Sequence, residues 1–176
     1  MRIRILAITI IMVFVVFLSI SSTVALAKSF QRLEVEATSC PVNSHWLAAG
    51  DEAGHSIGIQ QRQGDSKFSD GTTAKYTTVS TIDFRRGKGG TSTGYSKFTF
   101  EDGSLIIFSW KAKVTIGEGG LSYNEGQGKI IKGAGRFEGI EGSSVFAGRQ
   151  LKTLAEDPKG TALQNATITF KLPRKD

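Results

Sequence analysis

Beyond residue 30, apolar and polar side chains alternate along most of the chain, and the period is two. The clearest stretch is 104–116: Ile106, Phe108, Trp110, Ala112, Val114 and Ile116 share one parity, and Ser109, Lys111, Lys113 and Thr115 share the other. Successive strand side chains point to opposite faces, so this pattern predicts a long strand with one dry face and one wet face. Leu105 and Ile107 interrupt the wet face and hint at an interface. The segment before it, Gly94–Glu101, sets Phe98 and Phe100 against Tyr95, Lys97 and Thr99. Asp102-Gly103 lies between the two runs and predicts a hairpin with a type I′ turn.

Further strands are expected at Gln31–Thr38, Ser56–Gln63, Ala74–Arg85, Gly128–Gly133, Ser143–Leu151 and Asn165–Leu172, which with the hairpin makes eight. Gly64-Asp65, Asp70-Gly71, the Gly87–Gly90 and Gly117–Gly120 clusters and Pro158-Lys159-Gly160 read as turns. No segment of this region holds a sustained helical period; His45–Ala53 and Leu151–Glu156 could form a helical turn and no more. Eight alternating strands without helices predict a barrel or a sandwich. A closed antiparallel β-barrel disposes of exposed edges and is the expected fold.

The first residues follow another rule. Arg2 and Arg4 precede an uncharged run from Ile5 to Leu18, and Ala25-Leu26-Ala27 closes the segment. A basic start, an apolar run and a small-x-small ending make a secretory signal peptide over residues 1–27, cleaved after Ala27. The run is shorter than the roughly 20 residues that a membrane helix needs, so no stable anchor is expected. Cys40 lies too far downstream to be a lipid-attachment site. Residues 28–176 then form one domain, secreted or periplasmic, whose single cysteine excludes an internal disulfide.

The formal charge of the full chain is +6, and losing Arg2 and Arg4 reduces it to +4. The basic residues are scattered, and together with export this argues against nucleic acid as a partner. His45 and His55, the only histidines, lack metal-site spacing and read as surface residues; no metal and no cofactor is expected. No Gly-x-Ser-x-Gly elbow is present, since Gly142-Ser143-Ser144-Val145 does not match it. Gly133-Ala134-Gly135 fails the dinucleotide pattern because Glu138 stands where the third glycine belongs.

Gly94-Tyr95, Phe98-Thr99-Phe100-Glu101-Asp102-Gly103-Ser104 and the run Gly128–Gly142, with its Gly133-Ala134-Gly135-Arg136-Phe137-Glu138-Gly139-Ile140-Glu141-Gly142, carry a resemblance. Over roughly residues 31–171 the chain resembles the allene oxide cyclase-like and dirigent-like barrel superfamily. Asp51–Gly58 and Phe68-Ser69-Asp70-Gly71 are similar to its bacterial secreted members of unassigned function. The resemblance implies an eight-stranded calycin-like barrel that forms dimers or trimers, and activities that range from epoxide cyclisation to guiding radical coupling. Plant allene oxide cyclases hold a water with a first-strand acid, a Ser-Pro and an Asn. Here Glu34 and Glu36 precede Ser39-Cys40-Pro41-Val42-Asn43, and the spacing differs.

Glu34 and Glu36 share a face. If it were internal they would be an acid–base pair; an outer, solvated face is the alternative. Tyr76, Phe98, Phe100, Phe108 and Trp110 are the aromatics expected to line a cavity for a small apolar ligand. Three readings follow: an exported binding barrel closed by loops 40–54 and 117–127, a cofactor-free isomerase or cyclase, and a structural or assembly protein with a filled barrel.

Overall fold

The computed structural model describes residues 30–173; the leader expected over residues 1–27 lies outside them. Eight strands follow in order: β1 (Gln31–Ala48), β2 (His55–Phe68), β3 (Thr73–Arg85), β4 (Gly89–Phe100), β5 (Leu105–Ile116), β6 (Ser122–Ala134), β7 (Glu141–Gln150) and β8 (Ala162–Lys171). Each pairs antiparallel with the next, and β8 pairs back onto β1, from Gln31 opposite Phe170 to Ser39 opposite Ala162. The sheet is a closed eight-stranded barrel, as the alternation predicts. Among the described residues no helix is long and apolar enough to cross a membrane.

The inward parity matches the sequence pattern. Val35, Phe68, Phe98, Phe100, Ile106 and Phe108 are all buried. Phe98 occupies the centre, its ring 5.4 Å from Phe68, 5.1 Å from Tyr76 and 6.0 Å from Phe108. Tilted and edge-on pairs at these separations contribute about 0.5–1.5 kcal/mol beyond their area burial. The core lies towards one end of the barrel.

That end is closed by the glycine-rich run singled out in the sequence. After β6, a single 3₁₀ turn (Gly135–Phe137) folds Phe137 and Ile140 back into the core. A Cβ on Gly133 would lie 2.1 Å from the Phe137 carbonyl oxygen, so only glycine lets the returning chain approach β6 this closely. Phe137 meets Phe100 at 4.9 Å, and Arg136 covers both rings at 4.9 and 4.5 Å while its guanidinium donates to Asp102 at 2.9 Å.

Several expectations are corrected. Residues 39–48 are not a loop or a helical turn: β1 continues to Ala48, opposite Ser56. Pro41 lies within the strand. It occupies a register shift between Pro41 and Asn43, beyond the last residue of β1 that pairs with β8, where a missing N–H costs no ladder bond on that side. Gly64-Asp65 is not a turn but lies within β2. A Cβ on Gly64 would fall 1.8 Å from the Thr38 carbonyl oxygen, so this glycine serves a close strand approach. β6 starts at Ser122, so most of both expected closing loops, 40–54 and 117–127, is strand. The β4–β5 hairpin is present, yet its turn is not type I′: Gly103 has φ 80°, and among the described residues no non-glycine residue has positive φ, Asp102 included. The Gly103 N–H donates to Phe100 O at 3.0 Å, the pattern of a type I turn completed by a left-handed glycine.

The packing predicts a sharp contrast in urea unfolding. Phe98→Ala should cost about 3–5 kcal/mol, whereas Val79→Ala, on the exposed outer face, should stay within about 0.5 kcal/mol. Comparable losses would show that Phe98 is not at the centre of the core.

Candidate functional site

Inward positions change character towards the other end, which we call the open half. Ser39, Thr78, Ser80, Ser92 and Ser96 are buried there, with Gln60, Arg62, Ser144 and Gln164 partly buried. Hydroxyls and amides on an inner barrel wall are costly unless they find partners. Thr78 Oγ1 donates to Tyr95 O at 3.1 Å, and Tyr76 Oη lies 3.3 Å from Ser96 Oγ and donates to Gln164 Oε1 at 3.3 Å. Burial pushes the Tyr76 phenol well above its ordinary range.

Among the described residues Arg62 is the one cation on this wall. Its guanidinium donates to Ser39 O and Gly160 O, both at 2.8 Å, to Ser39 Oγ at 3.3 Å and to Gln60 Oε1 at 3.2 Å. Desolvation pulls its pKa below the ordinary arginine value. Carbonyl and hydroxyl oxygens solvate the charge, and they join β1, β2 and the 151–161 loop at one point.

A cavity of about 20 Å³ lies where the dry and polar halves meet. Phe98, Phe108 and Ile168 line it from the dry side, with Ser96, Ser144 and Gln164 from the polar side and Trp110, Phe146 and Ala166 around it. Trp110 and Phe146 meet edge to face at 5.8 Å. Glycines make room for both rings: a Cβ on Gly94 would stand 2.8 Å from the Trp110 ring, and one on Gly126 2.5 Å from Phe146. Trp110 Nε1 is buried without an acceptor among the described residues. A cavity of this size holds about one water molecule. A wider depression of about 550 Å³ lies on the exterior, over the exposed side chains Thr91, Thr93, Lys111, Lys113, Gln127 and Val145.

Of the five aromatics expected at a ligand site, Phe98, Phe108 and Trp110 line this cavity. Tyr76 reaches two polar residues of its wall, Ser96 and Gln164, through its hydroxyl. Phe100 lies deeper, against Phe137 in the closed end, and does not line it. The sequence reading missed Phe146, Gln164 and Arg62. Phe146 shares the inward parity of its strand, but the flanking Ser144 and Gly148 weaken the apolar signal, and a polar residue facing inward looks outward in an alternation count.

Glu34 and Glu36 lie on the outer face, not inside. Both are exposed, and Glu34 accepts from Thr167 at 2.7 Å and from Arg32 at 2.8 Å, which holds its carboxyl below the usual range. A carboxylate stabilised in its charged form outside the barrel does not meet the condition for an internal acid–base pair. His55 is not a surface histidine. It is 7 % exposed, with Nδ1 2.5 Å from Asp51 Oδ1 and Nε2 3.0 Å from Asp83 Oδ1. Among the described residues no three His, Cys, Asp or Glu side chains converge as a metal site.

No protein-family model matches the chain, and no curated protein matches it. Among solved structures it is similar to the pterocarpan synthase dirigent protein GePTS1, with 15% identity over 82% of this chain and 92% of that one and a TM-score of 0.46. It is also similar to the pterocarpan synthase dirigent protein PsPTS1, with 12% identity over 84% and 97% of the two chains and a TM-score of 0.44.

The Arg62 contacts predict that Arg62→Met, which removes the guanidinium hydrogen bonds to Ser39 O and Gly160 O, costs about 1–3 kcal/mol. Limited trypsin digestion checks it. Cleavage after the exposed Lys152 and Lys159 should accelerate in the variant, and an unchanged rate would show that Arg62 does not hold the loop.

Proposed function

We propose that this chain is an exported small-molecule-binding barrel. Its ligand is a small, largely apolar molecule with a hydrogen-bond acceptor, received in the open half against Trp110. One observation carries the reading: the buried Trp110 Nε1 hydrogen has no acceptor and borders an internal cavity with an apolar floor and a polar wall. A buried donor left unpaired costs about 1–3 kcal/mol, which a ligand oxygen or a water would recover. Apolar walls with a few convergent polar groups are the usual make-up of small-molecule sites. The cavity at rest is far below ligand size, so binding requires the inner side chains of the open half to move. Export rests on the leader read from residues 1–27.

A cofactor-free cyclase draws less support, because among the described residues no Asp or Glu is buried. A structural or assembly role is favoured by a different observation, the small internal space, together with outer apolar side chains such as Leu47 and Ile59, which are 62% and 56% exposed.

Trp46 and Trp110 are the two tryptophans of the chain, so Trp46→Phe isolates the emission of Trp110. Titration with a medium-chain methyl ketone should change that emission saturably, and native mass spectrometry should show one ligand per chain. The matched alkane should bind more weakly, and Trp110→Phe should lower ketone affinity about tenfold. Absence of a saturable response to either compound, with no ligand co-purifying from the native host, would leave the filled structural barrel as the reading.

A further inference from the structure

We propose that His55 is a pH-operated latch: held between Asp51 and Asp83, its imidazolium pins the β1–β2 loop to the outer wall of the barrel at its open end, and loss of the proton releases the loop. This inference is independent of the ligand proposed above. His55 shares its parity with Ile57 and Ile59, which are 41% and 56% exposed, yet it is 7% exposed itself. The loop of residues 49–54 folds over it. Both ring nitrogens face carboxylate oxygens, at 2.5 Å for Asp51 and 3.0 Å for Asp83. A neutral imidazole has one N–H and would turn a lone pair towards one of these carboxylates; the imidazolium donates to both.

The surrounding charges agree. The loop contributes Asp51 and Glu52, β3 contributes Asp83 and Arg85, and the β3–β4 turn contributes Arg86 and Lys88. Glu52 pairs with Arg85 at 2.8 Å and Lys88 at 3.1 Å, and Arg85 also reaches Asp83 at 3.0 Å. In this ion-paired set three carboxylates, Asp51, Glu52 and Asp83, face Arg85, Lys88 and His55, and the His55 proton places a positive charge between Asp51 and Asp83. Arg86 is exposed and fastens the loop through its backbone, its N–H donating to Gly54 O at 3.0 Å. The Asp51 hydrogen bond is the main cause that raises the His55 pKa above 6.5; desolvation and the nearby Arg85 oppose it.

What the latch holds is local. Besides the Arg86 bond, the loop's backbone ties are Ala49 N–H to His55 O at 3.1 Å and His55 N–H to Glu52 O at 3.3 Å, and its residues are exposed. Such a segment opens at low cost. Beyond Ser39, β1 has no β8 partner, so the tip of the β1–β2 hairpin overhangs the open end. Trp46 lies on that tip, its ring against Gly58. Because the folded-state pKa of His55 is raised, its contribution is complete below the unfolded value and is lost as pH rises through the folded value. Asp51, whose pKa is lowered chiefly by His55, contributes above its unfolded value and loses that contribution as pH falls through the folded one. The latch is therefore closed at mildly acidic pH and opens on the alkaline side.

Hydrogen exchange on the full chain, corrected for intrinsic rates, tests this from about pH 5.5 to about pH 8.5, alongside imidazole NMR titration. His45→Gln leaves His55 as the single histidine to follow. Its midpoint should lie above the ordinary value of about 6.5, and protection of the Ala49, His55 and Arg86 amides should fall through that midpoint, about tenfold per unit by which the midpoint is raised. The Thr99 amide, in the barrel wall, should show no such step. His55→Gln should show low loop protection at every pH. Asp51→Asn, an exposed change that leaves His55 in place, should lower the midpoint. A midpoint at or below the ordinary value, no step in the wild type, or a step that persists in His55→Gln would overturn the latch.

Discussion

The seam between β1 and β8 is the constraint on which the rest of the structure depends. Nine residues of β1, Gln31 to Ser39, pair with Ala162–Phe170 and close the sheet. Closure removes most of the edges on which an open sheet would aggregate. It also fixes an interior of limited width, and every inward side chain has to fit that space. The glycines follow from this: where Trp110 and Phe146 point inward, Gly94 and Gly126 give up a Cβ to admit them. Where the chain returns after β6, Gly133 does the same for the backbone at Phe137.

Within that enclosure the two halves are held by different forces. Towards the 135–140 return the inner wall is aromatic and aliphatic, and burial of apolar area stabilises it. Towards the 49–54 and 151–161 loops it carries hydroxyls, amides and Arg62, so its order rests on hydrogen bonds that must be satisfied one by one. The unpaired Trp110 Nε1 lies where the two meet.

The fold was legible in the sequence because the dry half writes itself in strict alternation. Phe98 and Phe100, and Ile106 and Phe108, stand at every second position, and their parity alone places them inside. The open half hides its inward residues. Ser92, Ser96, Arg62 and Gln164 face inward in positions where polarity signals solvent, and glycines within strands read as turns, as at Gly64. Pro41 and Asn43 hid the extension of β1, because the bulge that accommodates them has no signature of its own. The burial of His55 has no sequence signature for a related reason. Its partners Asp51 and Asp83 lie 4 and 28 residues away, and only the register of β2 against β3 brings the second one near. The exposure of Glu34 and Glu36, by contrast, follows from Leu33, Val35 and Ala37 being the inward set.

Closure of the barrel through the β1–β8 seam is the central claim, and cross-strand NMR contacts read it directly. Backbone nuclear Overhauser effects should link Leu33 with Ile168 and Val35 with Ala166, the partners in the observed register, and amides of both strands should exchange slowly. A β1 strand that shows contacts to β2 alone, with fast-exchanging β8 amides, would contradict the closed barrel and everything built on its interior.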